Sequence, residues 1–123
     1  MEFGDTDPSA LRGGEVRMPA PASEVTFSRR ELDRILSLYG RKVAAGEWCD
    51  YAIDFLADRA VFSVYRRASE NPYYTIEKHP ALKSRQGQYA VFAASGHLLK
   101  RGRDLSHVLR LFDRKLLKAL ANA

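Results

Sequence analysis

The most informative pattern of apolar and polar positions lies between residues 60 and 78, where two strand-like runs flank a polar turn. Residues 60–65, AVFSVY, and 73–76, YYTI, are rich in the β-branched and aromatic side chains that favour strands. The intervening residues, SENP, are typical of a turn. Because a lone hairpin is barely stable in water, this pair requires neighbouring strands and a helical cover.

A helix is predicted before the hairpin. Ser28 and Glu31 have the spacing of a capping box, and Phe27 and Leu32 lie where a hydrophobic staple would close. Gly46 can adopt the left-handed conformation that often ends a helix. The apolar face is predicted to consist of Leu32, Ile35, Leu36, Tyr39 and Val43.

Further strands and a second helix complete the predicted order. Residues 50–55 alternate as a half-buried strand, and residues 88–94 and 97–100 form a fourth strand and a short fifth one. A last helix carries an apolar stripe of Leu105, Val108, Leu109, Phe112, Leu116 and Leu120. Short links favour an antiparallel meander, so the predicted class is α+β: helix, four to five strands, helix, with both helices on one face.

The ends and the totals determine the domain organisation that we expect. Residues 1–24 contain several glycines and prolines without a sustained period, which predicts a disordered tail, and residues 25–121 form a single domain. No apolar run reaches the length of a membrane span, and no secretion signal follows the start. A single cysteine, Cys49, fits a reducing compartment, so we expect a cytoplasmic protein without membrane contact.

Three segments of the chain resemble an alphaproteobacterial family known as domain of unknown function 2794. They are VTFSRRELDRILSLYGRKVAAGEWCDYAIDF, RAVFSVYRRASENPYYTIEK and RQGQYAVFAASGHLLKRG, and the resemblance covers roughly Val25 to Lys115. It implies a bacterial, cytoplasmic, single-domain protein. It implies no activity and no ligand, so no functional residue is carried over.

The net charge of +5 is unevenly distributed. Residues 1–65 carry 8 Lys/Arg and 11 Asp/Glu, hence −3, whereas residues 66–123 carry 12 and 4, hence +8. In a meander, the loop 79–87 and the segment 100–103 lie at the same end of the sheet, beside the start of the last helix. The basic side chains there could surround helix-start amides and bind an anion or nucleic acid; they are Lys83, Arg85, Lys100, Arg101 and Arg103.

Catalytic and metal chemistry have little support in the sequence. Cys49 lacks a motif that would lower its pKa, and its ordinary interpretation is a small buried residue. His79, His97 and His107 lack the spacing of metal ligands. Asp50 and Asp54 share one face of a strand, where carboxylates usually serve solubility. We therefore expect a protein that is not an enzyme and that holds no cofactor or metal.

A second surface leaves an alternative function open. If the helices cover the Phe62 side of the sheet, Tyr65, Arg67 and Tyr73 lie on the open face, where they could stack on bases or form a protein interface. On the last helix, Leu117 falls outside the apolar stripe and could lie at a dimer contact. The leading hypothesis is therefore binding of DNA or RNA through the basic end. The alternative is a protein-interaction or self-associating module, including a homodimer, without a nucleic-acid role.

Overall fold

The order of elements confirms the predicted α+β class. The computed structural model describes residues 24–67 and 71–113. One five-stranded antiparallel sheet has the order β1-β2-β3-β4-β5, as expected of a meander. The elements are α1 (Arg29–Ala44), β1 (Asp50–Phe55), β2 (Ala60–Tyr65), β3 (Tyr74–Lys78), a 3₁₀ turn (Pro80–Leu82), β4 (Tyr89–Ala93), β5 (Leu98–Gly102), α2 (Leu105–Leu109) and a second 3₁₀ turn (Arg110–Phe112).

The capping box predicted for α1 is confirmed. The Ser28 hydroxyl accepts a hydrogen bond from the Glu31 amide at 3.1 Å, and the Glu31 carboxylate accepts one from the Ser28 amide at 2.7 Å. Both bonds satisfy amides that have no partner within the helix. Phe27, directly before the cap, is buried in the core.

The buried arc of α1 differs from the predicted one. Leu36 and Val43, assigned to the apolar face, are exposed, whereas Leu38, which was left out, is buried with Ile35. The helix is covered on two sides, by the sheet and by α2, and the buried arc points between them. The apolar pattern therefore identified the helix correctly but not the direction in which the helix faces.

Glu31 also joins α1 to the sheet. Its carboxylate accepts a hydrogen bond from the Tyr89 hydroxyl and one from Lys78 Nζ at 2.9 Å. Burial alone would raise the pKa of Glu31, but the bonds from Tyr89, Lys78 and the Ser28 amide outweigh it and lower the pKa below its usual value. Burial and the bond to Glu31 raise the pKa of Tyr89, since both favour the neutral phenol.

The core lies between the two helices and one face of the sheet. In the centre of the sheet, Phe62 on β2 pairs with Ile53 on β1 and Ile76 on β3, and Ile76 pairs with Val91 on β4. Aromatic rings from outside the strands close one end of this core. Trp48 and Phe112 meet edge to face, with their ring centroids 5.0 Å apart.

The last helix is shorter than predicted. It ends at Leu109, the 3₁₀ turn follows, and Asp113 leaves helical geometry with ψ at 126°. Leu111, which is not part of the predicted apolar stripe, is buried beside Phe112. A 3₁₀ turn advances by about 120° per residue instead of 100°, which changes the side chains that face inward. Leu116, Leu117 and Leu120 lie outside the described residues.

The first strand is more exposed than the half-buried strand expected from its alternation. Only Ile53 is partly buried, and Tyr51 and Phe55 are exposed although they share with Ile53 the face of the sheet that carries Phe62. The reason is the position of β1 at the edge of the sheet, where neighbours cover it on one side only. In the described part of the chain, no helix combines the length and the apolar character needed to cross a bilayer.

Candidate functional site

The two basic segments predicted to lie together are in backbone contact. Gly87, at the end of the loop, has a φ of +102°, and a Cβ placed on it would lie 2.4 Å from the carbonyl carbon of Gly102 in β5. The loop folds back on itself to reach this point, since the Gly87 amide donates to the Leu82 carbonyl at 2.8 Å. Two glycines in contact therefore hold the loop 79–87 against the end of β5.

The cations of this basic end, which we define as the loop 79–87 with residues 100–103, are accessible. Lys83 and Arg85 are exposed on the loop, and Arg103 is exposed just after β5. Arg101 is partly buried, and its guanidinium donates to the Gly87 carbonyl at 3.3 Å. The last contact adds a side-chain link between the strand and the loop.

Lys100 does not share a face with Arg101. Consecutive residues of a strand point to opposite sides of the sheet. Lys100 pairs across the strands with the buried Val91, on the helix side, whereas Arg101 pairs with Ala90, on the other side. One flat ligand surface therefore cannot use both side chains equally.

The start of α2, beside the basic end, is capped by its own carboxylate. The Asp104 carboxylate already accepts a hydrogen bond from the Ser106 amide at 3.3 Å. The α-helix is also only five residues long, so its dipole is small. Asp104 therefore competes with any anion at the start of α2, and the exposed basic side chains are the stronger basis for anion binding.

The sheet face opposite the helices carries a polar network that the sequence reasoning missed. Glu77 Oε1 lies 2.9 Å from His79 Nε2 and 3.6 Å from Arg59 Nε, and the Thr75 hydroxyl donates to Glu77 Oε2 at 2.9 Å. Glu77 stands across the strands from Val61, which is buried although neither of the two described helices covers this face. The sequence contains a signal for this network, because alternate residues of a strand share one face and residues 75, 77 and 79, along β3 and directly after it, are all polar.

The residues predicted to form one aromatic surface on the open face do not all lie on that face. Tyr65 lies on that face, partly buried, opposite Asp50 of β1. Tyr73 instead packs against the core, with its ring 4.3 Å from that of Tyr74. The grouping is therefore wrong for Tyr73.

A local irregularity explains the position of Tyr73. Its amide donates to the Val64 carbonyl at 2.7 Å, although the register pairs Val64 with the next residue, Tyr74. Tyr73 and Tyr74 thus both lie opposite Val64, as in a β-bulge. Because of the extra residue, consecutive side chains no longer alternate between the two faces of the sheet at this point. Tyr73 and the exposed Arg67 line a cleft of about 400 Å³ with Arg66, Asn71 and Pro72. Leu117, the last predicted interface residue, lies outside the described residues.

The comparison with known families agrees with the resemblance noted in the sequence. The family described as "protein of unknown function (DUF2794)" matches residues 25–109, more than two thirds of the chain. The chain belongs to this family. No curated protein and no solved structure matches it.

The DUF2794 match coincides with the folded elements. It begins at Val25, before the capping box, and ends at Leu109, the last residue of α2. It therefore includes all five strands and both segments of the basic end. Since the description of the family names no function, a function can be inferred only from the geometry of the chain.

The thiol and the imidazoles of this DUF2794 chain form no catalytic or metal-binding group among the described residues. Cys49 is exposed, and the expectation that it is buried is wrong, because it precedes the edge strand instead of lying beneath a helix. His79 is held by Glu77, while His97 and His107 are exposed elsewhere. No three potential metal ligands cluster in the described ranges.

A cleft of about 640 Å³ separates α1 from α2. Arg34 spans it, with its guanidinium 2.5 Å from the Ser106 hydroxyl, and Lys42 forms an ion pair with Glu47 at 3.1 Å. Cations and carboxylates alternate along its walls, including Asp33 and Asp113. This mixture of charges does not favour a polyanion, so the cleft is a weaker candidate than the basic end.

Proposed function

We propose that this chain is a non-enzymatic, cytoplasmic domain that binds DNA or RNA through its phosphate backbone. The contact surface is the basic end, with the exposed Lys83, Arg85 and Arg103 and the partly buried Lys100 and Arg101. The observation that carries the proposal is the contact between Gly87 and Gly102, which joins two separate basic segments into one surface.

The local charge balance supports this assignment. Within the segments that form the basic end, residues 79–87 and 100–103, every charged side chain is cationic at neutral pH. The nearest carboxylates in sequence are engaged, since Glu77 contacts His79 and Asp104 caps α2. Exposed lysine and arginine side chains can replace the counterions condensed on a nucleic acid, which favours binding without sequence specificity.

The arrangement of the cations favours a polymer over a small anion. They extend along a loop and the end of an edge strand instead of converging on an enclosed pocket. Neither of the clefts near α1 and Tyr73 is lined by any of them. A surface of this kind contacts several phosphates in a row, as in recognition through the backbone.

The test measures binding of a fluorescent duplex DNA and a duplex RNA by anisotropy as the salt concentration rises. We expect affinity to fall steeply between about 50 and 200 mM salt, with a slope set by the number of phosphate contacts. The variant Lys83→Glu/Arg103→Glu changes two exposed side chains. It should bind at least about tenfold more weakly and with a shallower slope, because contacts to phosphate are lost.

The matched control is Arg66→Glu/Arg67→Glu, which makes the same change of charge at the opposite end of the sheet. It should retain most of the affinity if the basic end is the binding site. Equal losses in the two variants would show a general effect of net charge. Binding that is insensitive to salt, or unaffected by the change at residues 83 and 103, would contradict the proposal.

A further inference from the structure

The outer edge of β1 presents backbone groups that bond to no other strand of the described residues. The Leu56 amide donates to the Arg59 carbonyl at 2.8 Å, so position 56 faces β2, and alternate positions face it in the same way. Tyr51, Ile53 and Phe55 therefore direct their amides and carbonyls outward, where no strand of the described ranges pairs with them. In agreement, the Tyr51 amide bonds to the Asp50 carboxylate at 2.8 Å instead of to β2.

An apolar surface adjoins this edge. The described residues include six exposed large hydrophobic side chains, and five of them, each between 37% and 42% exposed, belong to α1, β1 and the residue after β1: Leu36, Val43, Tyr51, Phe55 and Leu56. Tyr39 of α1 packs on Tyr51 with ring centroids 4.9 Å apart, so this flank of α1 lies above β1. On a helical wheel, residues 36 and 43 continue outward from Tyr39, away from α2.

We propose that this surface, the outer edge of β1 with Leu36 and Val43, binds a second copy of the chain. The two β1 strands pair antiparallel about a two-fold axis at Ile53, which makes one continuous sheet of both copies. Three outward-facing residues form three pairs, Ile53 with itself and Tyr51 with Phe55 twice. Each pair exchanges two hydrogen bonds, and for this the Tyr51 amide gives up its bond to the Asp50 carboxylate. The self-complementary contact is the kind that a two-fold axis requires.

The side chains favour the same register. Facing aromatic rings of Tyr51 and Phe55 stabilise an antiparallel pair. On the other face, Asp54 of one copy stands opposite Ala52 of its partner. A shift of the axis to Ala52 would place Asp50 opposite Asp54 and would leave one outward-facing residue of each strand without its partner. Like charges directly opposite are destabilising, so both backbone and charge favour the axis at Ile53 over the axis at Ala52.

The charge of this edge argues against a polyanionic occupant. Asp50 and Asp54 lie on β1, and Asp58 lies in the turn after it. A nucleic acid or an acidic peptide would meet carboxylates here. The edge is therefore distinct from the basic end, and self-association through it does not depend on the nucleic-acid proposal.

The first measurement is sedimentation equilibrium over a range from about 1 to 500 µM, which detects weak association. We expect the mass to rise towards twice 13.9 kDa. Leu36→Lys/Val43→Lys should weaken dimerisation at least about tenfold, because it buries charge at the interface. The fold should be unaffected, because both side chains are exposed in the single chain. The matched control is Leu98→Lys, an exposed leucine on the opposite edge, which should dimerise like the wild type.

A cysteine on the proposed axis tests the register. In a Cys49→Ser background, Ile53→Cys should form a disulfide between copies on mild oxidation. Residues facing each other in a hydrogen-bonded antiparallel pair have Cα atoms about 5.5 Å apart, within the range for a disulfide. Leu98→Cys in the same background is the control and should remain largely reduced. Circular dichroism verifies that each variant is folded.

Each outcome decides part of the inference. A wild-type protein that remains monomeric at the highest concentration overturns the proposed dimer, and a strand of another protein would then be the alternative partner for this edge. A dimer that does not cross-link at residue 53, or that cross-links as readily at residue 98, overturns the proposed interface. A dimer whose affinity is unchanged by Leu36→Lys/Val43→Lys would show that α1 is not part of the interface, and would overturn that part of the proposal.

Discussion

Glu31→Ala tests whether one carboxylate joins the helix to the sheet. The change removes the acceptor for the Ser28 amide, the Tyr89 hydroxyl and Lys78 Nζ. Loss of a helix cap costs about 1 kcal/mol, and a hydrogen bond to a charged group contributes about 1.5–3 kcal/mol. The side chains of Glu31 and Lys78 are only 13% and 17% exposed, so water does not readily replace these bonds.

The contributions do not add fully. Lys78 Nζ also donates to the Thr26 carbonyl at 3.0 Å, so its charge retains one partner when Glu31 is lost. We therefore expect Glu31→Ala to reduce the free energy of unfolding by about 3 kcal/mol. Glu31→Gln keeps acceptors for the cap and loses the charge, and it should cost about 1–2 kcal/mol. Asp33→Asn, on the exposed side of the same helix, is the control and should stay within about 0.5 kcal/mol.

The assay is urea denaturation followed by circular dichroism at several pH values. Because the folded protein lowers the pKa of Glu31, its contribution is present above the pKa of an unfolded glutamate, about 4.3, and is lost as the pH falls through the lower folded value. The difference between wild type and Glu31→Gln should therefore be constant near neutral pH and shrink in acid. A Glu31→Ala protein within about 0.5 kcal/mol of wild type would refute the reasoning.

Two further predictions concern the basic end and alkaline pH. Gly87→Ala should destabilise the chain by more than about 2 kcal/mol, because its Cβ meets the Gly102 backbone, whereas Gly96→Ala, also at positive φ but in open space, should cost only about 1 kcal/mol by the same denaturation assay. The raised pKa of Tyr89 provides stability that is complete below about pH 10 and is lost as the pH rises through the folded pKa. The difference in stability between wild type and Tyr89→Phe should therefore shrink above that pH, and a constant difference would contradict this assignment.

Local patterns in the sequence determined the elements and their order. The spacing of Ser28 and Glu31 was sufficient to place the start of α1, because a capping box closes within one turn. Alternation located every strand, and short links determined the meander. The meeting of the loop 79–87 with residues 100–103 followed from that topology, since successive connections alternate between the two ends of a sheet.

Tertiary structure decided which sides of these elements are covered. The apolar pattern of α1 predicts that Leu36 is buried, but the packing of α1 against the sheet and α2 buries Leu38 instead. An unforeseen bulge moved Tyr73 to the core side, and a 3₁₀ turn placed Leu111 inward. In each case the periodicity of residues along the chain predicts a local conformation, whereas burial depends on contacts with residues distant in sequence. The same holds for the candidate surfaces: the sequence predicted where cations cluster, but only packing showed that Gly87 meets Gly102 and that β1 is an edge strand with no further strand beside it in the described residues.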